Sequence, residues 1–309
     1  MTAALPAGAW LDPRCAAEPF DVDTVVLDVD GVLVDVRESF REAVRETAVR
    51  VQRQMGVADP WRPSHADINA FKRAGGFNDD IDISIALTAL GVARQGSHAD
   101  AIAREVEAAG GGLAALRVVA PALPRVRGRA VLAVFDELYW GAGATVRVDD
   151  GHVLPVAAAD GMINRERMLV PAGYPGLLRG AGARYIACIS GRTPRELSAA
   201  LRSLGWEVAD LAAVVTGDMV RKPDPACFDP VVAACQPRAM VYVGDVRDDW
   251  ELVRRHRDER GDVPPARCIL VGDDADMTAY RPLGVHATAR DAMAVPAILR
   301  AWRKEPTTR

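Results

Sequence analysis

The apolar run Val25-Val26-Leu27 ends in Asp28-Val29-Asp30-Gly31-Val32, so a buried strand carries two carboxylates, one residue apart, into a tight turn. Successive side chains along a strand point to opposite faces. The two acids therefore share one site only if the strand stops at Asp28 and the turn swings Asp30 back. Gly31 permits that turn because glycine adopts positive φ without steric cost. Taken alone, the stretch also fits an Asp-rich surface turn. Three further blocks downstream decide between the two.

The first block is the apolar run Tyr185-Ile186-Ala187-Cys188-Ile189, followed by Ser190-Gly191-Arg192-Thr193-Pro194. Thr193 and Glu196 have the spacing of a capping box and Pro194 suits the first helical position. The Ser190 hydroxyl and the Gly191 amide are thus expected beside a helix N-terminus, where anions bind readily. The second block is Thr216-Gly217-Asp218 followed by Arg221-Lys222-Pro223-Asp224-Pro225. Asp224 reads as an N-cap, which fixes Lys222 at a strand-to-helix junction, where its ammonium can hold a phosphate oxygen and a carboxylate together. The third is the strand Met240-Val241-Tyr242-Val243, opening into Gly244-Asp245-Val246-Arg247-Asp248-Asp249. Asp245 and Asp249 are its candidate functional pair.

In this order the four blocks resemble the haloacid dehalogenase superfamily, in which an aspartate nucleophile, a Ser or Thr, a Lys and a terminal acidic pair follow one another. The resemblance covers roughly residues 20–36 and 172–290. It implies that Asp28 attacks phosphorus, that Ser190, Gly191 and Lys222 hold the phosphate, and that Mg²⁺ is held by Asp28, the Asp30 carbonyl and Asp245, with Asp249 ligating or orienting. In that family the phosphatases and phosphomutases carry Asp two residues after the nucleophile, whereas dehalogenases and phosphonate hydrolases do not. Asp30 therefore implies phosphoryl transfer, with Asp30 as acid and then base. A small-molecule phosphatase is the leading expectation; a phosphomutase on the same core and a catalytically silent binding protein are the alternatives.

Charge leads to the same metal independently. Like charges about 4 Å apart repel by about 1 kcal/mol in water and by several at lower effective dielectric, and the motifs set only Lys222 against Asp28, Asp30, Asp245 and Asp249. A divalent cation resolves this, and oxygen-only ligands favour a hard ion such as Mg²⁺. The five histidines are scattered, so a zinc site is not expected. The formal net charge of -4 gives no basic footprint for nucleic acid. No apolar run reaches the roughly 20 residues that span a bilayer, so no membrane partner and a cytoplasmic address are expected. Five widely spaced cysteines suit reduced thiols better than a disulfide framework.

Apolar runs over residues 24–28, 184–189, 212–215, 239–243 and 267–271 alternate with helical patterns, which predicts an α/β fold with a doubly wound parallel sheet. Ligands of such sheets bind at the carboxyl ends of the strands, where Asp28, Ser190, Lys222 and Asp245 fall. Asp28 and Ser190 lie 162 positions apart, whereas a parallel crossover needs about a dozen residues. An inserted domain must fill the gap. The expected division is a catalytic core of residues 18–36 and 172–309 with a mainly helical cap of residues 37–171. Helices are predicted over 36–55, 80–90, 98–109 and 129–140, and a β-hairpin over 145–156. The first twenty residues and residues 305–309 are expected to be loosely held.

Within the cap, the stretch 71–82 stands out. Its Lys72, Arg73, Gly75, Gly76, Phe77, Asn78 and Asp79 combine a glycine pair with cations, aromatics and acids, costly to order unless they touch something. A helix-connecting loop is the simpler reading. In capped members of the family the loop in this place reaches the substrate, which marks these residues as candidates for specificity. This stretch, with residues 135–139, is similar to a subfamily of capped hydrolases, some fused to a histidine-biosynthesis dehydratase. That similarity implies histidinol phosphate as a candidate substrate.

Overall fold

The computed structural model describes residues 5–77, 79–149 and 152–303. The chain divides into two compact units, one of residues 1–35 and 168–309, the other of residues 36–167.

The first unit is built on a seven-stranded sheet. Its order is Trp10–Leu11, Ala287–Ala289, Ala266–Val271, Met240–Gly244, Thr24–Leu27, Tyr185–Ile189 and Val214–Val215. All neighbours are parallel except the Trp10–Leu11 edge strand, which runs antiparallel to Ala287–Ala289. The central strands read as continuous apolar runs because helices cover both faces of a parallel sheet. Accordingly every residue of Thr24–Leu27, Met240–Gly244 and Ala266–Val271 is buried. Thr24–Leu27 lies between Tyr185–Ile189 and Met240–Gly244, with Leu27 across from Cys188 and Val243. The chain thus continues to either side of its first central strand, the arrangement that opens a crevice at the carboxyl edge.

Two expectations about this unit are corrected. Residues 5–20 are not loose: Trp10–Leu11 extends the sheet, Asp12 caps the helix Pro13–Ala17, and the Phe20 ring meets Trp302 edge-on at 6.1 Å; residues 1–4 and 305–309 lie outside the described residues. Sheet pairing and aromatic burial supply what a polar terminus lacks. The strand expected over 212–215 shortens to Val214–Val215.

The second unit is helical with one hairpin. The helices are Phe40–Gln54, His65–Ala74, Asp80–Val92, Ala99–Ala108, Gly112–Val119 and Gly128–Trp140, and Thr145–Asp149 pairs with His152–Val156. Two helices were not in the expected set. His65–Ala74 begins with a capping box of Ser64 and Asp67 and buries Ile68 and Phe71, while Gly112–Val119 buries Ala115 and Leu116. Lys72 and Arg73 consequently belong to the last turn of a helix and not to a loop. Phe40 of the first helix stacks on Tyr139 at 4.3 Å. Among the described residues no helix is long and apolar enough to cross a membrane.

Candidate active site

Three central strands of the first unit end in candidate site residues on one edge. Thr24–Leu27 ends immediately before Asp28, Tyr185–Ile189 before Ser190 and Met240–Gly244 before Asp245. The Asp28 amide donates to Val243 O at 2.9 Å, so sheet pairing itself fixes the first acid. Beyond it the chain turns sharply: Gly31 N–H donates to Val34 O at 2.9 Å, and Gly31 has φ +74°. A side chain at Gly31 would also collide with the Asp245 carboxylate, since its Cβ would lie 2.0 Å from Asp245 Oδ2. Backbone conformation and a close approach both demand glycine here.

Lys222 ties the acids together. Its Nζ donates to Asp28 Oδ2 at 2.7 Å, to Asp249 Oδ1 at 2.8 Å and to the Tyr242 hydroxyl at 3.2 Å, and all four side chains are buried. The second Asp28 oxygen accepts from Val29 N–H at 2.7 Å. Asp249 Oδ2 accepts from the amides of Asp245 and Val246 at 3.0 and 3.1 Å. Both oxygens of Asp249 are therefore engaged with protein donors, as are both of Asp28. The Tyr242 hydroxyl lies 3.0 Å from Asp249 Oδ1 and 3.2 Å from Ile189 O.

These contacts set the ionisation. Burial pushes the Asp28 carboxyl well above the usual carboxylate range; Lys222 pulls it back, and Asp249, Asp245 and Asp30 raise it again. Burial alone would lower the Lys222 ammonium, but Asp249 and Asp28 more than reverse this and hold it charged. Asp28, Asp245 and Asp249 each bring a carboxylate oxygen within 4.8 Å of the others. Three carboxylates thus converge on one point, and the donors are all oxygen. The set fits a hard divalent cation.

Asp30 has a different partner. Arg192, whose side chain is fully buried, donates from Nε and Nη2 to Asp30 Oδ1, both at 2.8 Å. The sequence had pointed to Lys222 as the cation near these acids; Arg192 is the second. Its place two residues after Ser190 was the available signal, but its partner lies 162 positions away. Tyr242 was likewise read only as an apolar strand residue. On the anion side, Ser190 is buried and its Oγ accepts from the Arg192 amide at 3.2 Å, while Gly191 is exposed. The capping box of Thr193 and Glu196 forms as expected, and so a carboxylate already occupies part of that helix terminus.

The specificity candidates of the second unit are placed otherwise. Lys72 lies 3.4 Å from Asp80, Asp79 caps the helix Asp80–Val92 by accepting from Ile81 N–H, and Phe77 is buried edge-on against Phe71. Gly75 and Gly76 meet a second glycine run: Gly112 N–H donates to Gly75 O at 2.9 Å, and a Cβ on Gly76 would stand 2.8 Å from Gly112 N. The glycine pair lets two backbones touch. Arg73 is exposed, and Asn78 lies outside the described residues.

No family model matches the chain. A curated relative, the imidazoleglycerol-phosphate dehydratase of Phytophthora nicotianae, is 26% identical over 233 residues, 74% of this chain. The chain spans only 40% of that relative's length. Among solved structures, phosphatase Tt82 from Thermococcus thioreducens is similar with a TM-score of 0.59 and 25% identity, over 89% of this chain and 98% of its own. The chain has the fold of the haloacid dehalogenase superfamily. A phosphonoacetaldehyde hydrolase-like protein from Oleispira antarctica shares that fold with a TM-score of 0.50 and 14% identity, over 98% of this chain and 100% of its own. In this haloacid dehalogenase fold, Asp28, Ser190, Lys222 and Asp245 sit at the edge where the sheet opens, and the helical second unit is inserted between the first and second of them.

Proposed function

We propose that this protein is a phosphatase that hydrolyses a small-molecule phosphomonoester through an aspartyl-phosphate intermediate. The observation that carries the reading is the Asp28 carboxylate, fixed at the end of a central strand against Lys222, next to an Asp30 held by Arg192. A nucleophile and a proton carrier are thus immobilised side by side, and each has its own cation. The likeness to phosphatase Tt82 supports it.

In the first step an Asp28 oxygen bonds to phosphorus as the bond to the ester oxygen breaks, and Asp30 gives that oxygen its proton. In the second, Asp30 takes a proton from water as the water attacks phosphorus, which frees inorganic phosphate and restores Asp28. Splitting one hard displacement into two is what a carboxylate nucleophile contributes. Ser190 Oγ, the Gly191 amide and the Lys222 ammonium hold the phosphate oxygens. Such preorganised donors act on charge that develops in the transition state, usually the largest single contribution. We assign Asp28, the Asp30 carbonyl and Asp245 as ligands of Mg²⁺, with Asp249 orienting Lys222 and the Asp245 loop. When bound, the ion supplies positive charge for the transferring group.

The chain's substrate is assigned to the class of small phosphate esters. Imidazole-bearing monoesters, histidinol phosphate among them, lead the panel because the curated relative is named for imidazoleglycerol phosphate. All five cysteines are free, which supports a reducing, cytoplasmic setting.

The test is phosphate release from a panel of about a hundred metabolite phosphates and p-nitrophenyl phosphate. Asp28→Asn should lower turnover by on the order of 10⁴ or more, as removal of a nucleophile does, and exhaustive chelation should stop the wild type. An Asp28→Asn variant that keeps the wild-type rate, or a rate indifferent to chelation, sinks the mechanism. Isomer conversion without net phosphate release would make the protein a mutase.

A further inference from the structure

Asp30 sits in a turn, on no helix or strand that would fix its side chain, and is 27% exposed at the side chain. An acid that must meet a leaving oxygen cannot be left to rotate, since displacement by about 1 Å can cost on the order of 10² in rate. Arg192 restrains it. Two of its N–H groups converge on the same carboxylate oxygen, Oδ1. Among the described residues no donor is recorded to Oδ2.

Arg192 is itself anchored at both ends. Its Nη1 donates to Glu196 O at 3.2 Å, its amide donates to Ser190 Oγ, and its carbonyl accepts from Gly217 N–H at 3.1 Å. The residue therefore joins the Ser190 strand end and the first turn of the helix Pro194–Ser203 to the Asp30 turn. A buried guanidinium with rigid, forked donors fixes geometry in a way that an ammonium on a flexible stem does not.

We propose that Arg192 is a positioning residue for Asp30: by holding Oδ1 it leaves Oδ2 as the oxygen that delivers the proton to the leaving group. The assignment rests on the phosphatase reading above. Arg192 touches neither phosphorus nor the leaving oxygen in this scheme; it acts through Asp30. A purely structural role, tying the turn to the helix, would instead depress all substrates alike.

The discriminating measurement is a ratio taken within each variant, kcat/KM for p-nitrophenyl phosphate over kcat/KM for glycerol phosphate. Nitrophenolate departs without a proton, whereas the alkoxide needs one, and the ratio does not depend on how much of the protein is folded. Asp30→Asn should raise the ratio, because general acid help is worth about 10² to 10⁴. Arg192→Met should raise it in the same direction by at least about tenfold. Arg192→Lys, which keeps the charge and loses the fork, should fall between wild type and Met. The double variant Asp30→Asn/Arg192→Met should show the ratio of Asp30→Asn alone.

An Arg192→Met ratio equal to wild type, with both rates reduced in parallel, overturns the proposal. So does a double variant whose ratio exceeds that of Asp30→Asn, since Arg192 would then act independently. Should Arg192→Met fail to fold, Arg192→Lys decides by itself: an unchanged ratio overturns the proposal and a raised one supports it. Wild-type protein that frees phosphate from neither ester overturns the phosphatase reading and this assignment with it. An Asp30→Asn ratio equal to wild type, with phosphate still released, sinks the assignment alone.

Discussion

The two units spend their polar residues differently. In the sheet unit the charged pairs at the site bridge great distances along the chain, Lys222 and Asp28 being 194 positions apart and Arg192 and Asp30 162 apart, whereas some of its surface pairs, such as Arg257 with Asp258, are local. In the helical unit most are local. Ser64 pairs with Asp67, Asp79 with the Ile81 amide, Glu42 with Arg45 and Asp100 with Arg104. Glu166 and Glu137 are exceptions: Glu166 accepts from Tyr139 and, across 127 positions, from Ser39, and Glu137 accepts from Arg50 across 87. Local pairs finish helices, each for about 1 kcal/mol or less. Buried distant ion pairs bring little net stability over an apolar replacement, so three buried polar groups around Lys222 at the open edge of a sheet are explained better by chemistry than by folding. The same contrast covers glycine. Gly31 makes room for the Asp245 carboxylate, whereas Gly76 makes room for the backbone of Gly111 and Gly112.

The contrast is sharpest in Lys222→Met. Removing the ammonium leaves Asp28 and Asp249 buried without their cation, which should cost about 3 to 5 kcal/mol. Segment-resolved hydrogen exchange should show the loss in Thr24–Leu27 and Met240–Gly244. An equal loss in Phe40–Gln54 would mean that the two units do not differ in the way described.

A second measurement uses pH. His286 is buried, its Nδ1 accepts from Cys268 N–H at 3.0 Å, and burial first, then Arg257 and Arg267, lowers its imidazolium to about 4. A depressed folded value means that the unfolded chain binds the extra proton between about 6.5 and 4. The contribution is thus complete above pH about 6.5 and is lost as pH falls towards 4, by about 3 kcal/mol at most. His286→Gln should flatten the stability profile in that window. A profile identical to wild type would remove His286 from the account.

Smaller effects are expected in the helical unit. If the stretch around Lys72 and Arg73 selects the substrate, Arg73→Ala should lower kcat/KM for the best metabolite about tenfold, the size of one charge-assisted contact, and leave p-nitrophenyl phosphate unchanged. Parallel losses on both substrates, or none on either, would return the stretch to a connecting role. Least of all, Asp79→Ala should cost about 1 kcal/mol in denaturant unfolding, the worth of an N-cap. A cost near that of Lys222→Met would break the distinction between local and distant pairs.

Much of this was legible along the chain. Apolar runs ending in Asp28, Ser190 and Asp245 announced strands with functional carboxyl ends, because burial on both faces forces a continuous apolar pattern that must stop where solvent begins. The helix Phe40–Gln54 was marked by the spacing of Phe40, Val44, Ala48 and Val51, and the inserted unit by the excess of chain between Asp28 and Ser190. His65–Ala74 had a signal as well, the Ser64–Asp67 capping box, which went unused. The edge strand Trp10–Leu11 had none, since its partner Ala287–Ala289 lies at the other end of the chain.

Sequence by itself determined which residue types stand at which strand ends, since strand, turn and cap preferences act over a few residues and are written in order. Only the tertiary structure decided who pairs with whom: that Arg192 takes Asp30, that Tyr242 and Asp249 meet Lys222, and that Gly75 and Gly76 meet Gly111 and Gly112. Such partners meet only when the sheet closes and helices pack, and a buried charge selects its counterion by proximity in space, on which local sequence has no hold.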